Sequence, residues 1–193
     1  RIFIIDFAER MTTQAQNSFL KLLEEPNDNI YFMLVSHSET KLLPTILSRT
    51  SKLQVKPITA SQTEKLLDSL KITDTIMRRQ LLFMANGLPA EINRLIANKE
   101  YFEARSKIVK DARDLLSAPL YKKLVLSQGY KDNRPGALLL LSDALKILRI
   151  TISDKPQSSS IDRIGSIIDA YQDIEANCNI RLVLARTAFS TLV

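Results

Sequence analysis

The hydrophobic pattern changes character at Pro57. Before it, Ile2-Phe3-Ile4-Ile5 is a short, continuous, β-branched run, which predicts a strand buried on both faces of a parallel sheet. Residues Ile30 to Val35 repeat that pattern, and Lys52 to Val55 alternate as a third strand would. Between the first two, Thr12 or Thr13 is placed to cap a helix bearing Phe19, Leu20, Leu22 and Leu23, stopped by Pro26. Leu43 to Leu47 suit a short helix with Pro44 in its first turn. Strands alternating with helices predict an α/β domain.

After Pro57 only helical periods remain. Ser61–Leu70, Thr75–Ala85 and Pro89–Asn98 read as three short helices, with Gly87 closing the second and Pro89 opening the third. Longer helices follow at Tyr101–Ser117, Pro119–Gln128, Gly136–Ile152, Ser160–Ala176 and Ile180–Leu192. Gly129, Asn133-Arg134-Pro135 and Asp154-Lys155-Pro156 punctuate them. The expected organisation is three units: an α/β piece over 1–57, a small helical domain over 58–99 and an all-α bundle over 100–193. The chain opens inside a buried-type strand without an initiating Met, and parallel strands need neighbours, so a segment upstream is expected.

Composition narrows the function classes. The net charge of +6 comes from 27 basic and 21 acidic residues spread along the chain without a basic tract. That permits nearness to nucleic acid but lacks the clustered Lys and Arg of a sequence-reading helix. A single Cys178 excludes an internal disulfide, and with a lone His37 it makes no zinc or iron ligand set. Cys178 has no accompanying base and reads as a small residue near a helix start, not a nucleophile. No apolar run approaches the roughly 20 residues of a membrane span. A reduced, cytoplasmic setting without a membrane partner is expected.

The candidate chemistry lies before Pro57. The first strand ends in Asp6, followed by Phe7-Ala8-Glu9-Arg10-Met11. Then come Asn17-Ser18-Phe19-Leu20-Lys21-Leu22-Leu23-Glu24-Glu25-Pro26, a strand ending near Ser36-His37, and Leu42-Leu43-Pro44-Thr45-Ile46-Leu47-Ser48-Arg49-Thr50. Taken singly, Asp6 is a turn-capping acid, Arg49 a surface ion pair and His37 a loop residue. Jointly, in order and spacing over residues 1–58, they resemble the clamp-loader family of AAA+ ATPases.

The resemblance implies a fold: the second half of an AAA+ (P-loop NTPase) parallel-sheet domain, a three-helix lid and a helical-bundle collar. It implies that Asp6 stands at the Walker B aspartate, which holds Mg²⁺, and Phe7 where the family has the glutamate that polarises water. An aromatic ring accepts no proton. Ser36, or His37 beside it, falls at the first sensor position. Ser48-Arg49-Thr50 matches the family's Ser-Arg-Cys except at its last position, and Arg49 is implied as a finger offered in trans to a neighbour's γ-phosphate. Ala90 occupies the second-sensor arginine position, with Arg94 one helical turn on. Near the end, Asn177-Cys178-Asn179-Ile180 resembles the start of a collar helix, with Asn177 as its expected cap.

Within this resemblance, the departures at Phe7 and Ala90 favour a non-hydrolysing member of the family over an active gamma/tau-type ATPase, the alternative. No cofactor is expected in this stretch. ATP and Mg²⁺ would sit at the neighbouring subunit, and a phosphate loop and any zinc module would lie upstream. Implied partners are the other loader subunits through 100–193, the sliding clamp and, indirectly, primed DNA. In this family the phosphate-loop strand lies between the sensor strand and the last one, so Tyr31–Val35 and Lys52–Val55 should not pair directly.

Overall fold

The computed structural model describes residues 1–25, 29–154 and 159–191. The chain divides into two compact units, Arg1–Lys56 and Pro57–Val193.

In the first unit β1 (Ile2–Ile5) and β2 (Tyr31–Leu34) pair in parallel, Ile2 opposite Tyr31 and Ile5 opposite Leu34. The crossover between them carries α1 (Thr13–Glu24), capped by Thr12, whose Oγ1 accepts from the Ala15 N–H at 3.2 Å. Buried Phe19 of α1 meets Phe32 edge-on at 5.1 Å, and Phe3 stacks on Phe32 at 5.6 Å. One sheet face is thus covered by the helix. The other is not: Ile2 and Ile4 are 67% and 66% exposed, so the expectation of burial on both faces does not hold here. Two strands and a single covering helix leave the second face without a layer.

The short α2 (Pro44–Leu47) is anchored by Ile46, fully buried, and Leu42. Buried Gln16 ties it to α1: its Nε2 donates to the carbonyls of Met11 and Lys41 at 3.1 and 3.2 Å, and its Oε1 accepts from the Leu43 N–H at 2.8 Å. The expected third strand is absent. Residues 51–59 form no regular element, and Leu53 and Val55 are 87% and 88% exposed. Alternation alone does not make a strand; a ladder partner is required, and among the described residues β1 and β2 pair only with each other. Tyr31–Val35 and Lys52–Val55 accordingly share no ladder.

The second unit is helical throughout its described residues. Its first core joins α3 (Ala60–Ser69), α4 (Thr75–Ala85) and α5 (Pro89–Ala97) through Leu67, Leu81, Met84, Ile92 and Leu95. Thr59 and Gln62 form a reciprocal capping box, which starts α3 one residue before the expected Ser61. After α4, Asn86 and Gly87 both take left-handed φ. A Cβ on Gly87 would come within 2.5 Å of the Ile58 carbonyl oxygen, so no other residue fits that turn without displacement.

A second core gathers α6 (Lys99–Ser117), α7 (Leu120–Gly129), α8 (Arg134–Asp154), α9 (Ser159–Glu175) and α10 (Ile180–Ser190) around Leu115, Leu140, Leu141, Ile167, Ile174 and Leu184. The helix α6 serves both cores: Tyr101, Phe102 and Val109 pack on the first, Ala112 and Leu115 on the second. The Pro26 stop and the Lys155-Pro156 break fall outside the described residues.

Candidate functional site

Parallel pairing brings the carboxyl ends of β1 and β2 to the same edge, and the ladder runs on past them. The Val35 N–H donates to the Ile5 carbonyl at 2.9 Å, and the Ala8 N–H to the Val35 carbonyl at 2.9 Å. Asp6, Phe7, Glu9, Ser36 and His37 are therefore neighbours at one edge, where open parallel sheets place their ligands. Asp6 is exposed, and its Oδ1 accepts from the Phe7 N–H at 2.9 Å. Phe7 stands in the left-handed region at φ 51°. Its ring stacks on His37, centroids 5.3 Å apart and planes 7° apart, with the Arg10 guanidinium 4.4 Å from its centre. An aromatic ring thus fills the position directly after Asp6. Position 7 contributes no carboxylate, and the acids of this edge are Asp6 and Glu9.

Ser36 folds onto its own turn: its Oγ donates to the Ser38 carbonyl at 3.0 Å and accepts from the Ser38 N–H at 3.2 Å. Glu9 was not singled out in the sequence, yet it is the acid of this cluster. Its Oε1 lies 3.7 Å from His37 Nδ1. Its carboxyl is held below the usual range, first by its own backbone amide, against desolvation, and then by the Ser36 hydroxyl and the His37 backbone. Its position three residues past Asp6, in a tight turn, was the only signal, and that signal is weak.

The second cluster of this unit surrounds Arg49, just past α2. The Arg49 Nη1 donates to the Thr45 carbonyl at 3.1 Å and to Ser48 Oγ at 3.3 Å, while Nη2 meets Glu24 Oε1 at 2.8 Å. Ser48 Oγ donates in turn to the Thr45 carbonyl at 3.1 Å. Thr50 donates its hydroxyl to the Ile46 carbonyl at 3.1 Å and closes the helix end. The arginine is exposed, and every partner it has here is a surface group.

In the second unit Ala90 is an exposed first-turn residue of α5. Arg94, one turn on, lies over the Tyr101 ring at 3.9 Å, and Tyr101 donates to Glu91 Oε1 at 2.6 Å. Arg94 is thus engaged with an aromatic face within its own unit. The expected cap at Asn177 is corrected: Asn177 takes φ 67° and closes α9, whereas Asn179 caps α10 by accepting from the Leu182 N–H at 3.2 Å. Asn tolerates left-handed φ, and a cap oxygen must reach the amide three residues on; only Asn179 has that spacing to α10. Cys178, between them, is exposed. Among the described residues no His, Cys, Asp and Glu grouping could hold a metal ion, and no helix is long and apolar enough to cross a membrane.

Comparison with known proteins bears on these clusters. Residues 1–59 match the family model described as DNA polymerase III, delta subunit. The chain is 36% identical over 110 residues to DNA polymerase III subunit delta' of Bacillus subtilis, covering 57% of this chain and 33% of that protein. It is 35% identical over 155 residues to the subunit of the same name from Haemophilus influenzae, covering 76% of this chain and 45% of that protein. The chain therefore spans a third to under a half of these relatives' length. A solved structure of a DNA polymerase III gamma subunit-related protein from Thermotoga maritima superposes with a TM-score of 0.54 at 18% identity, over 99% of this chain and 71% of that one. That likeness shows the fold: a small parallel sheet followed by helical units. In sequence the chain resembles bacterial DNA polymerase III delta' subunits, and the family model spans the unit that carries both clusters.

Proposed function

We propose that this chain is part of a clamp-loader subunit of the delta-prime kind, one that does not hydrolyse ATP. It helps load the sliding clamp onto primed DNA and offers Arg49 to the triphosphate site of a neighbouring ATPase subunit. The observation that carries the reading is Phe7. Its ring stacks on His37 and contacts the Arg10 guanidinium at the strand end where hydrolysis needs a carboxylate. Arg49, by contrast, keeps an exposed guanidinium at the end of a short, anchored helix. A planar, permanently charged fork of that kind suits γ-phosphate oxygens.

In this reading residues 100–193 form the collar that joins the subunit to the other members of a hetero-pentamer, in the cytoplasm. ATP and Mg²⁺ bind at the neighbour. The Ser36 position and Ala90 are relics of sensors, and Arg94, committed to Tyr101, does not replace the arginine missing at 90. An active gamma/tau-type ATPase would need acids and an arginine that positions 7 and 90 lack. The test is ATP turnover by the full-length subunit alone and by a reconstituted loader carrying Arg49→Ala. The subunit alone should match background. The variant loader should assemble normally and lose turnover. Robust turnover by the lone subunit, or a wild-type rate in the variant loader, would overturn the reading.

A further inference from the structure

We infer that Glu24 is a positioning residue for Arg49, an inference that rests on the reading of Arg49 as a finger. The two residues are 25 positions apart in sequence: Glu24 closes α1, and Arg49 lies in the turn two residues past α2. Glu24 Oε1 takes Nη2 at 2.8 Å, while the Thr45 carbonyl and Ser48 Oγ take Nη1. Two adjacent nitrogens of one guanidinium are therefore gripped from two sides, which fixes the plane of the fork as well as its place.

The grip is transmitted by a rigid base. Gln16 is buried and bonds the Lys41 carbonyl and the Leu43 amide of the segment leading into α2, and Ile46 of that helix is fully buried. Glu24 thus rides on the same framework as the helix that carries Arg49. The ion pair itself is wet, with side chains 39% and 50% exposed, so its value to folding is small. Its effect lies in where the guanidinium waits. An arginine has many rotamers, and holding it in one arrangement removes that entropy from the step in which it meets a phosphate. Because the carboxylate is exposed, an incoming polyanion can replace it at little cost.

The experiment uses the full-length subunit in a complete reconstituted loader, with ATP turnover measured in the presence of clamp and primed DNA. Glu24→Ala should lower kcat at the affected site by about two- to fivefold with KM for ATP little changed, the size expected of an exposed pair acting on a transition state. Glu24→Gln keeps an oxygen acceptor at the same reach and should recover most of the rate. In an Arg49→Ala background Glu24→Ala should add nothing. Raising the salt should shrink the Glu24→Ala effect. If Arg49→Ala lowers turnover but Glu24→Ala does not, or raises it, or if the two losses multiply independently, the positioning role is overturned and the finger stands. If Arg49→Ala itself is silent, the finger reading falls and takes this inference with it. Incorporation of each variant into the complex, followed by gel filtration, separates these outcomes from misfolding.

Discussion

Phe7 and His37 stack ring on ring at the carboxyl ends of the two parallel strands, centroids 5.3 Å apart and planes 7° apart. Phe7 is held there by a left-handed backbone and a cation from Arg10, so the position is filled by an apolar ring and not simply vacated. A carboxylate at position 7 would have to displace that stack.

Phe7→Glu in the full-length subunit should therefore leave ATP turnover at background. The groups of a phosphoryl-transfer site act as a unit, and restoring one member of a depleted set recovers little. The new carboxylate would also sit close to Glu9, in a cluster that already holds an acid beside His37. Turnover by purified Phe7→Glu, measured against wild type and a phosphate-loop variant of the same subunit, checks this. A clear gain would show that the site is otherwise complete.

The buried pair between Arg105 of α6 and Asp143 of α8 should be the most sensitive polar contact of the second unit. Both side chains are almost fully buried and bidentate, with Lys146 Nζ 3.3 Å from the same carboxylate. Asp143→Ala strands the buried Arg105 charge and should cost about 3–5 kcal/mol, whereas Arg105→Ala leaves Asp143 its Lys146 partner and should cost less. Arg105→Met combined with Asp143→Leu should recover most of that loss. Denaturant unfolding followed by circular dichroism, which reports mainly the helical unit, measures all three.

How far these features were legible in the sequence depends on how local they are. Thr75–Ala85 was read to its ends, with Gly87 as the signal for its close, because helix termini are set by short-range chemistry; the structure adds Asp74 as its cap and Asn86 as its left-handed end. Lys52–Val55 was misread because alternation is local but a ladder partner is not. Gln16 could not be found: a polar residue breaks the apolar period of α1, and its three partners lie on segments that meet only in the fold. Of the candidate residues, Arg49 and Asp6 came from motif order. Glu24 as the partner of Arg49, and Glu9 beside His37, required the crossover and the parallel register that bring them together.

Tyr130 should give the second unit an alkaline limit. Its hydroxyl is buried and donates to Asp111 Oδ2 at 2.8 Å. Burial first, and then Asp111, push its pKa well above the ordinary tyrosine range. The folded state keeps this proton while the unfolded chain releases it near pH 10. The contribution is therefore fully present below about pH 10 and is lost as pH rises further, by up to about 1.4 kcal/mol per pH unit. Buried Lys123, lowered by desolvation and then by Arg163, works the other way: its penalty lifts as pH approaches the ordinary lysine range from below. The difference between wild type and Tyr130→Phe isolates the tyrosine. That variant should be about 1 kcal/mol less stable at neutral pH and should lose the extra slope above pH 10. Urea midpoints from pH 8 to 11 read both, and parallel curves would remove the proposed linkage.

Arg49→Lys tests the geometry of the proposed finger apart from its charge. A lysine at 49 keeps the positive charge, reaches toward Glu24 as a point charge and touches no buried group, so the fold of the first unit should be unchanged. What it loses is the planar fork, which here presents one nitrogen to the Thr45 carbonyl and Ser48 Oγ and another to Glu24. An ammonium cannot hold two anchors in one plane while offering further N–H groups to phosphate oxygens. Arginine fingers are worth about 10³–10⁵ in rate where they dominate a site. The assembled loader should lose much less, because only the site facing this subunit depends on Arg49. Clamp-stimulated turnover in loaders of equal composition should thus fall for Arg49→Lys nearly as far as for Arg49→Ala. If lysine instead preserves the wild-type rate while alanine abolishes the contribution, position 49 needs only a charge, and the guanidinium geometry that Glu24, Thr45 and Ser48 hold is not what the neighbouring site reads.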